Sequence, residues 1–172
     1  MYKKKRVYDG KNISVNIHDI IIEGKRVKRE IIDQPGAAAI LALDGNNVIL
    51  IKQNRFPHGY VLEIPGGKLE KDEDPKDCAF RELQEETGYK AKRMKHIITI
   101  DPNVGYSTLF IHCYVATGLK KVNKIKSIDD EFITVVKMDL QKLLKMIKVG
   151  KIRDAKTICA ALTYATKNSN KL

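Results

Sequence analysis

The first 65 residues alternate short apolar runs with turn-forming residues. Ile13–Glu23 and Val27–Ile32 flank Gly24-Lys25, and Ala37–Leu43 and Val48–Gln53 flank Asp44-Gly45-Asn46-Asn47. Runs of this length around residues that tolerate positive φ predict two antiparallel hairpins, separated by a break at Gln34-Pro35-Gly36. Tyr60–Ile64 predicts another short strand, ending at Pro65-Gly66-Gly67. The period then changes. Asp74 is a suitable N-cap, Pro75 fits the first helical position and Gly88 the C-terminal cap, with Ala79, Phe80 and Leu83 forming an apolar face between them. Strands are expected again at Arg93–Ile100, Leu109–Ala116 and Phe132–Lys137. Leu140, Leu143, Leu144 and Ile147 have helical spacing up to Gly150, and Asp154–Lys167 carries a second amphipathic pattern. This order predicts one α+β domain. Residues 36–172 are its body, and residues 1–35 are a β arm too short to be stable alone.

Composition narrows the class. The chain has 172 residues, 43% hydrophobic and 31% charged, which fits one globular domain and excludes wholesale disorder. The longest apolar stretch, Ala37–Leu43, is far short of the ~20 residues that cross a bilayer, and Met1–Arg6 leads into no signal-peptide core. No membrane association is expected. Cys78, Cys113 and Cys159 form no CxxC pair, so reduced thiols and a cytoplasmic location are expected rather than a disulfide framework or a zinc site. The net charge of +11 conceals an asymmetry: between Glu63 and Gly88 nine acids face four bases. The lysine excess elsewhere is dispersed and lacks aromatic interleaving, which argues against nucleic acid as a partner and for attraction of small anions.

The acidic segment carries the chemistry. Glu82, Glu85 and Glu86 stand at i, i+3 and i+4, and at about 100° per residue they share one helical face. Like charges on one arc repel unless a cation neutralises them, and hard oxygen ligands suit Mg²⁺ or Mn²⁺ rather than zinc. Gly66-Gly67 lets the backbone approach a ligand closely. Arg81 is placed to orient carboxylates. His18, His58, His96 and His112 are isolated and support no nucleophilic triad.

Gly67, Glu73, Arg81-Glu82, Glu85-Glu86 and Gly88 together resemble the Nudix box. Seven identities at ~7% usage each arise by chance in roughly one chain in a million. Tyr89 departs mildly from the usual aliphatic residue. The resemblance implies an α/β/α sandwich with a mixed central sheet and a pyrophosphohydrolase activity dependent on Mg²⁺, with Mn²⁺ able to substitute. It implies that Glu82, Glu85 and Glu86, with the Gly66 carbonyl, ligate metal, and that Glu73 and Arg81 brace the loop and helix. Cys78 shares the Glu82 face and is expected to be a small residue that simply fits.

The similarity extends from Ala37 to Ala161. Gln53-Asn54-Arg55-Phe56, Leu62-Glu63-Ile64-Pro65-Gly66-Gly67 and Arg153-Asp154-Ala155-Lys156-Thr157 look like the ADP-ribose pyrophosphatase and nucleotide-sugar branch. That likeness implies that Arg55 contacts substrate phosphate, that Glu63, Gly67 and Tyr106 lie at the substrate, and that the protein is a homodimer joined through its N-terminal strands. Two departures, Val104 for a common proline and Leu109 for a common glutamate, put strict ADP-ribose preference in doubt and favour nucleoside diphosphate sugars more broadly. GDP-mannose or dinucleoside polyphosphate hydrolysis is the alternative, and a basic nucleotide- or nucleic-acid-binding protein a weaker one. Carboxylates that hold Mg²⁺ are poor bases, so the general base is sought outside the helix, among Asp101, Asp129, Asp130 and Glu131. Glu131 matches the branch best, as base or additional metal ligand.

Overall fold

Alternation along one strand builds the centre of the molecule. In the computed structural model, which describes residues 2–11, 13–122 and 133–168, strand β4 (Ala37–Asp44) sends Ala38, Ile40 and Ala42 to one side and Ala39, Leu41 and Leu43 to the other. The first set packs on Cys78, Ala79 and Leu83 of helix α1 (Pro75–Thr87). The second packs on Leu140 and Leu143 of α2 (Leu140–Lys148) and on Ala160 and Ala161 of α3 (Ala155–Lys167). A strand buried on both faces reads as an almost continuous apolar run, as Ala37–Leu43 does.

The sheet around it has the order β10-β5-β4-β9-β8. Here β5 is Asn47–Asn54, β8 is Tyr89–Ile100, β9 is Ile111–Lys121 and β10 is Thr134–Asp139. Two short strands fill the edge: β6 (Tyr60–Glu63) pairs with β5, and β7 (Gly66–Lys68) pairs with β4. β4 and β9 run parallel while the other pairings are antiparallel, so the sheet is mixed. Helices on both faces complete an α/β/α sandwich.

A second sheet precedes it. β1 (Lys3–Asp9), β2 (Ser14–Ile22) and β3 (Lys25–Asp33) form an antiparallel meander. The β2–β3 turn is Glu23-Gly24, both at positive φ, one residue earlier than the composition suggests, because Ile22 pairs directly with Lys25. β1 is an additional strand that the sequence pattern does not reveal; all seven of its residues are exposed. This sheet joins the body through Ile32, whose N–H donates to the Tyr106 carbonyl at 2.7 Å and whose carbonyl accepts from Thr108 at 3.0 Å. Among the described residues no helix is long and apolar enough to cross a membrane. Cys78, Cys113 and Cys159 are free thiols.

Candidate active site

Helix α1 is fixed at both ends. The Asp74 Oδ1 accepts from the Lys76 N–H at 2.8 Å, and Gly88 closes the helix in the left-handed conformation. With Cys78, Ala79 and Leu83 buried against the sheet, Arg81, Glu82, Glu85 and Glu86 project along the flank that meets the Pro65–Lys68 loop.

Arg81 organises this flank. Its Nε and Nη2 each donate at 2.8 Å to one oxygen of Glu73, a bidentate pair. Nη1 donates to Glu82 at 2.6 Å and to Glu85 at 3.2 Å, and Nη2 also reaches the Lys68 carbonyl at 3.1 Å. The guanidinium holds Glu73 at a pKa of about 2, well below the usual carboxylate range. Glu86 stands apart. Its Oε2 accepts from the Gly66 N–H at 2.8 Å, and burial pushes its pKa up to about 8 against the help of that N–H. Burial likewise raises Glu82, with Arg81 opposing.

The two glycines do different things. A Cβ on Gly66 would overlap the Ala38 carbonyl of β4, whereas one on Gly67 would overlap the Glu82 carboxylate. Gly67 therefore leaves room for the Glu82 carboxylate, and Gly66 is a requirement of the sheet. Cys78 is fully buried in the core, and burial raises its thiol to about 12, so it is packing.

Glu73, Glu82 and Glu85 around one guanidinium leave a net charge of −2, with the Glu86 carboxyl, only 8% exposed, on the same helix flank. Such concentrated, partly dehydrated negative charge needs a cation, and the donors are all hard oxygens, as a small divalent ion prefers. The residues present fit such an ion. Among the described residues no three such side chains already converge as metal ligands, with Arg81 Nη1 holding both Glu82 and Glu85.

The remaining expected residues fall in three places. Arg55 and Glu63 sit together just ahead of the loop: Arg55 Nε donates to Glu63 Oε1 at 2.8 Å. Glu63 is buried, and its second oxygen is held by Lys156. Tyr106 lies at the junction with the N-terminal sheet, its hydroxyl on Asn103 Oδ1 at 2.8 Å. Glu131, with Asp129 and Asp130, lies outside the described residues.

A network on α3 escaped the sequence reading. The Ile64 N–H donates to Thr157 Oγ1 at 2.9 Å, Thr157 donates onward to Asp154, and Lys156 bridges Asp154 at 2.9 Å and Glu63. It ties the start of α3 to the residues just before Gly66. Arg153–Thr157 stood out only as part of a family likeness, since no spacing rule links positions 63 and 156.

Comparison with known proteins assigns the chain to a family. A profile of the NUDIX domain matches residues 33–160. The chain belongs to the Nudix family. An ADP-ribose pyrophosphatase of Bacillus subtilis is 38% identical over 161 residues, 91% of this chain and 87% of that one. A methanol dehydrogenase activator of Bacillus methanolicus is also 38% identical, over 92% of this chain and 88% of its own. A GDP-mannose pyrophosphatase of Cronobacter sakazakii is 33% identical over 77% of this chain and 75% of its own. The crystal structure of an ADP compounds hydrolase superposes with a TM-score of 0.87 at 19% identity, covering 99% of this chain and 95% of that one. That likeness establishes the Nudix fold over the described residues, the N-terminal sheet included.

Proposed function

We propose that this Nudix protein is a pyrophosphohydrolase of nucleoside diphosphate sugars, ADP-ribose among them, releasing a nucleoside monophosphate and a sugar phosphate. The observation that carries the reading is the anionic cluster at the Gly66-Gly67 loop, with Glu86 desolvated and Glu82 cradled where only glycine fits. The relatives named for ADP-ribose and GDP-mannose support the substrate class.

Glu82, Glu85, Glu86 and the Gly66 carbonyl would hold Mg²⁺, or Mn²⁺ in its place. The ion supplies charge neutralisation at the phosphoryl oxygens and a lowered proton affinity for water at the site. The chain's own residues do the rest. Arg81, locked on Glu73, fixes the rotamers of Glu82 and Glu85 before substrate arrives. Arg55, fixed by Glu63, is free on its outer edge to take a phosphate oxygen. Water adds across the P–O–P bridge: one phosphorus gains the hydroxyl oxygen, the bridging oxygen leaves on the other, and the proton passes to a carboxylate. Glu131 is the candidate for that base. Its change to Gln should lower kcat at least ~10²-fold with little change in KM, whereas Asp129→Asn should do much less.

A substrate panel of ADP-ribose, GDP-mannose and dinucleoside polyphosphates tests the reading. We expect AMP from ADP-ribose in Mg²⁺ and none in EDTA. Absence of metal-dependent release from every member would overturn it. Residues 1–35 we assign as a dimerisation arm, because a three-stranded sheet that exposes Val7, Tyr8 and Ile21 has no core of its own.

A further inference from the structure

Strand β6 and the segment joining α2 to α3 border a cavity of about 560 Å³, within the ~300–1,000 Å³ range of small-ligand sites. Its floor is ion-paired. Glu63, 2% exposed, is shared by Arg55 and Lys156, and Lys156 also meets Asp154. Two cations and two anions cancel there. The rim differs: Lys151 and Arg153 line the same cavity, both exposed, and neither has an ion pair among the described residues. Among the described residues the cavity thus carries two uncompensated positive charges beside a neutral but strongly polar floor.

Its position follows from the chain. Glu63 is three residues before Gly66, whose N–H is bonded to Glu86, and Arg55 of the cavity wall is paired to Glu63 and close enough to act electrostatically on Glu86. A diphosphate held between Arg55 and the helix glutamates would send one of its attached groups into this space. The floor's fixed carboxylates and ammonium suit sugar hydroxyls. A neutral sugar would leave the rim cations unmatched. A sugar carrying its own anionic group would meet them, and the forked guanidinium of Arg153 suits a carboxylate or a phosphate.

We propose that this cavity is the sugar subsite and that Lys151 and Arg153 select nucleoside diphosphate sugars whose sugar bears a second anionic group. The proposal rests on the pyrophosphohydrolase reading above.

Two matched pairs test it and separate the anion's chemistry: UDP-glucose against UDP-glucuronate, and ADP-ribose against its derivative phosphorylated on the terminal ribose. At least one anionic member should exceed its neutral partner by about tenfold or more in kcat/KM, the equivalent of one good charge contact. The double variant Lys151→Gln/Arg153→Gln should bring that ratio to within about twofold of unity. Calorimetry of the same pairs on the Glu86→Gln protein, where turnover is lost, should show the same order of affinities. Equal values within both pairs, or a preference that survives in the double variant, would overturn the proposal. If no compound is hydrolysed, calorimetry decides the subsite alone: an anionic preference lost with the rim cations keeps the subsite and discards the hydrolase, and no preference discards both.

Discussion

Glu86 is an acid kept from water, and the sign of its effect on stability follows from that. Its folded pKa, about 8, lies above the ordinary 4.5 because burial disfavours the charge. As pH rises from about 4.5 to about 8, the unfolded chain sheds this proton while the folded chain keeps it, so folding loses stability across that window. Thermal melts in EDTA should therefore show wild type falling in Tm over this interval and Glu86→Gln falling less, since Gln keeps an acceptor for Gly66 without the charge. An equal slope in both proteins would contradict the assignment. Glu73 works in the opposite sense. Arg81 lowers its pKa from 4.5 to about 2, so its contribution is present above the unfolded value and is lost as pH falls through that range. That these glutamates share one helical face was legible from spacing, whereas their different environments were not. Nothing at i, i+3, i+4 says that Glu86 meets a backbone N–H from twenty residues upstream while Glu85 meets a guanidinium.

At the scale of elements, the loop and helix fit through two adjacent glycines whose substitutions should part company. Gly67→Ala pushes on the end of a movable side chain, Glu82, and should reduce kcat by about tenfold or more with small change in Tm. Gly66→Ala pushes on the β4 backbone and should lower Tm strongly. Similar effects from both in either measurement would contradict the division of roles. Asp74→Ala removes the helix cap and should cost about 1 kcal/mol in denaturant unfolding. Helix α1 was readable because its signals are local: a cap, a proline at N1 and a closing glycine. β7 was not, since Gly66-Gly67 has poor strand propensity and pairs only because β4 lies alongside. β9 begins at Ile111 rather than Leu109 and runs on to Lys121, as its long pairing with β8 carries polar residues that an apolar pattern leaves out. Glu63 presents the same difficulty: its partner Lys156 lies 93 residues away, so no local pattern announces that it is buried between two cations.

For the whole molecule, the mixed sheet and its two helical layers follow from β4, whose unbroken apolar run already requires cover on both faces. The N-terminal sheet joins the body of its own chain by backbone bonds at Ile32. The Lys3–Asp9 strand has no apolar alternation, and the sheet exposes Tyr8 and Ile21 rather than burying them, so its stabilising surface is expected on a second copy. Light scattering at micromolar concentration should give twice the 19.5 kDa chain mass, and a single-chain mass would reject the dimer. The proposed activity rests on the helix glutamates acting through a divalent cation on a diphosphate. The most direct test is AMP release from ADP-ribose, measured in Mg²⁺ and in excess EDTA for wild type and Glu86→Gln at matched fold content. The account predicts turnover in wild type with Mg²⁺ alone and a loss of at least ~10²-fold in the variant. Undiminished release in EDTA, or from Glu86→Gln, would contradict it.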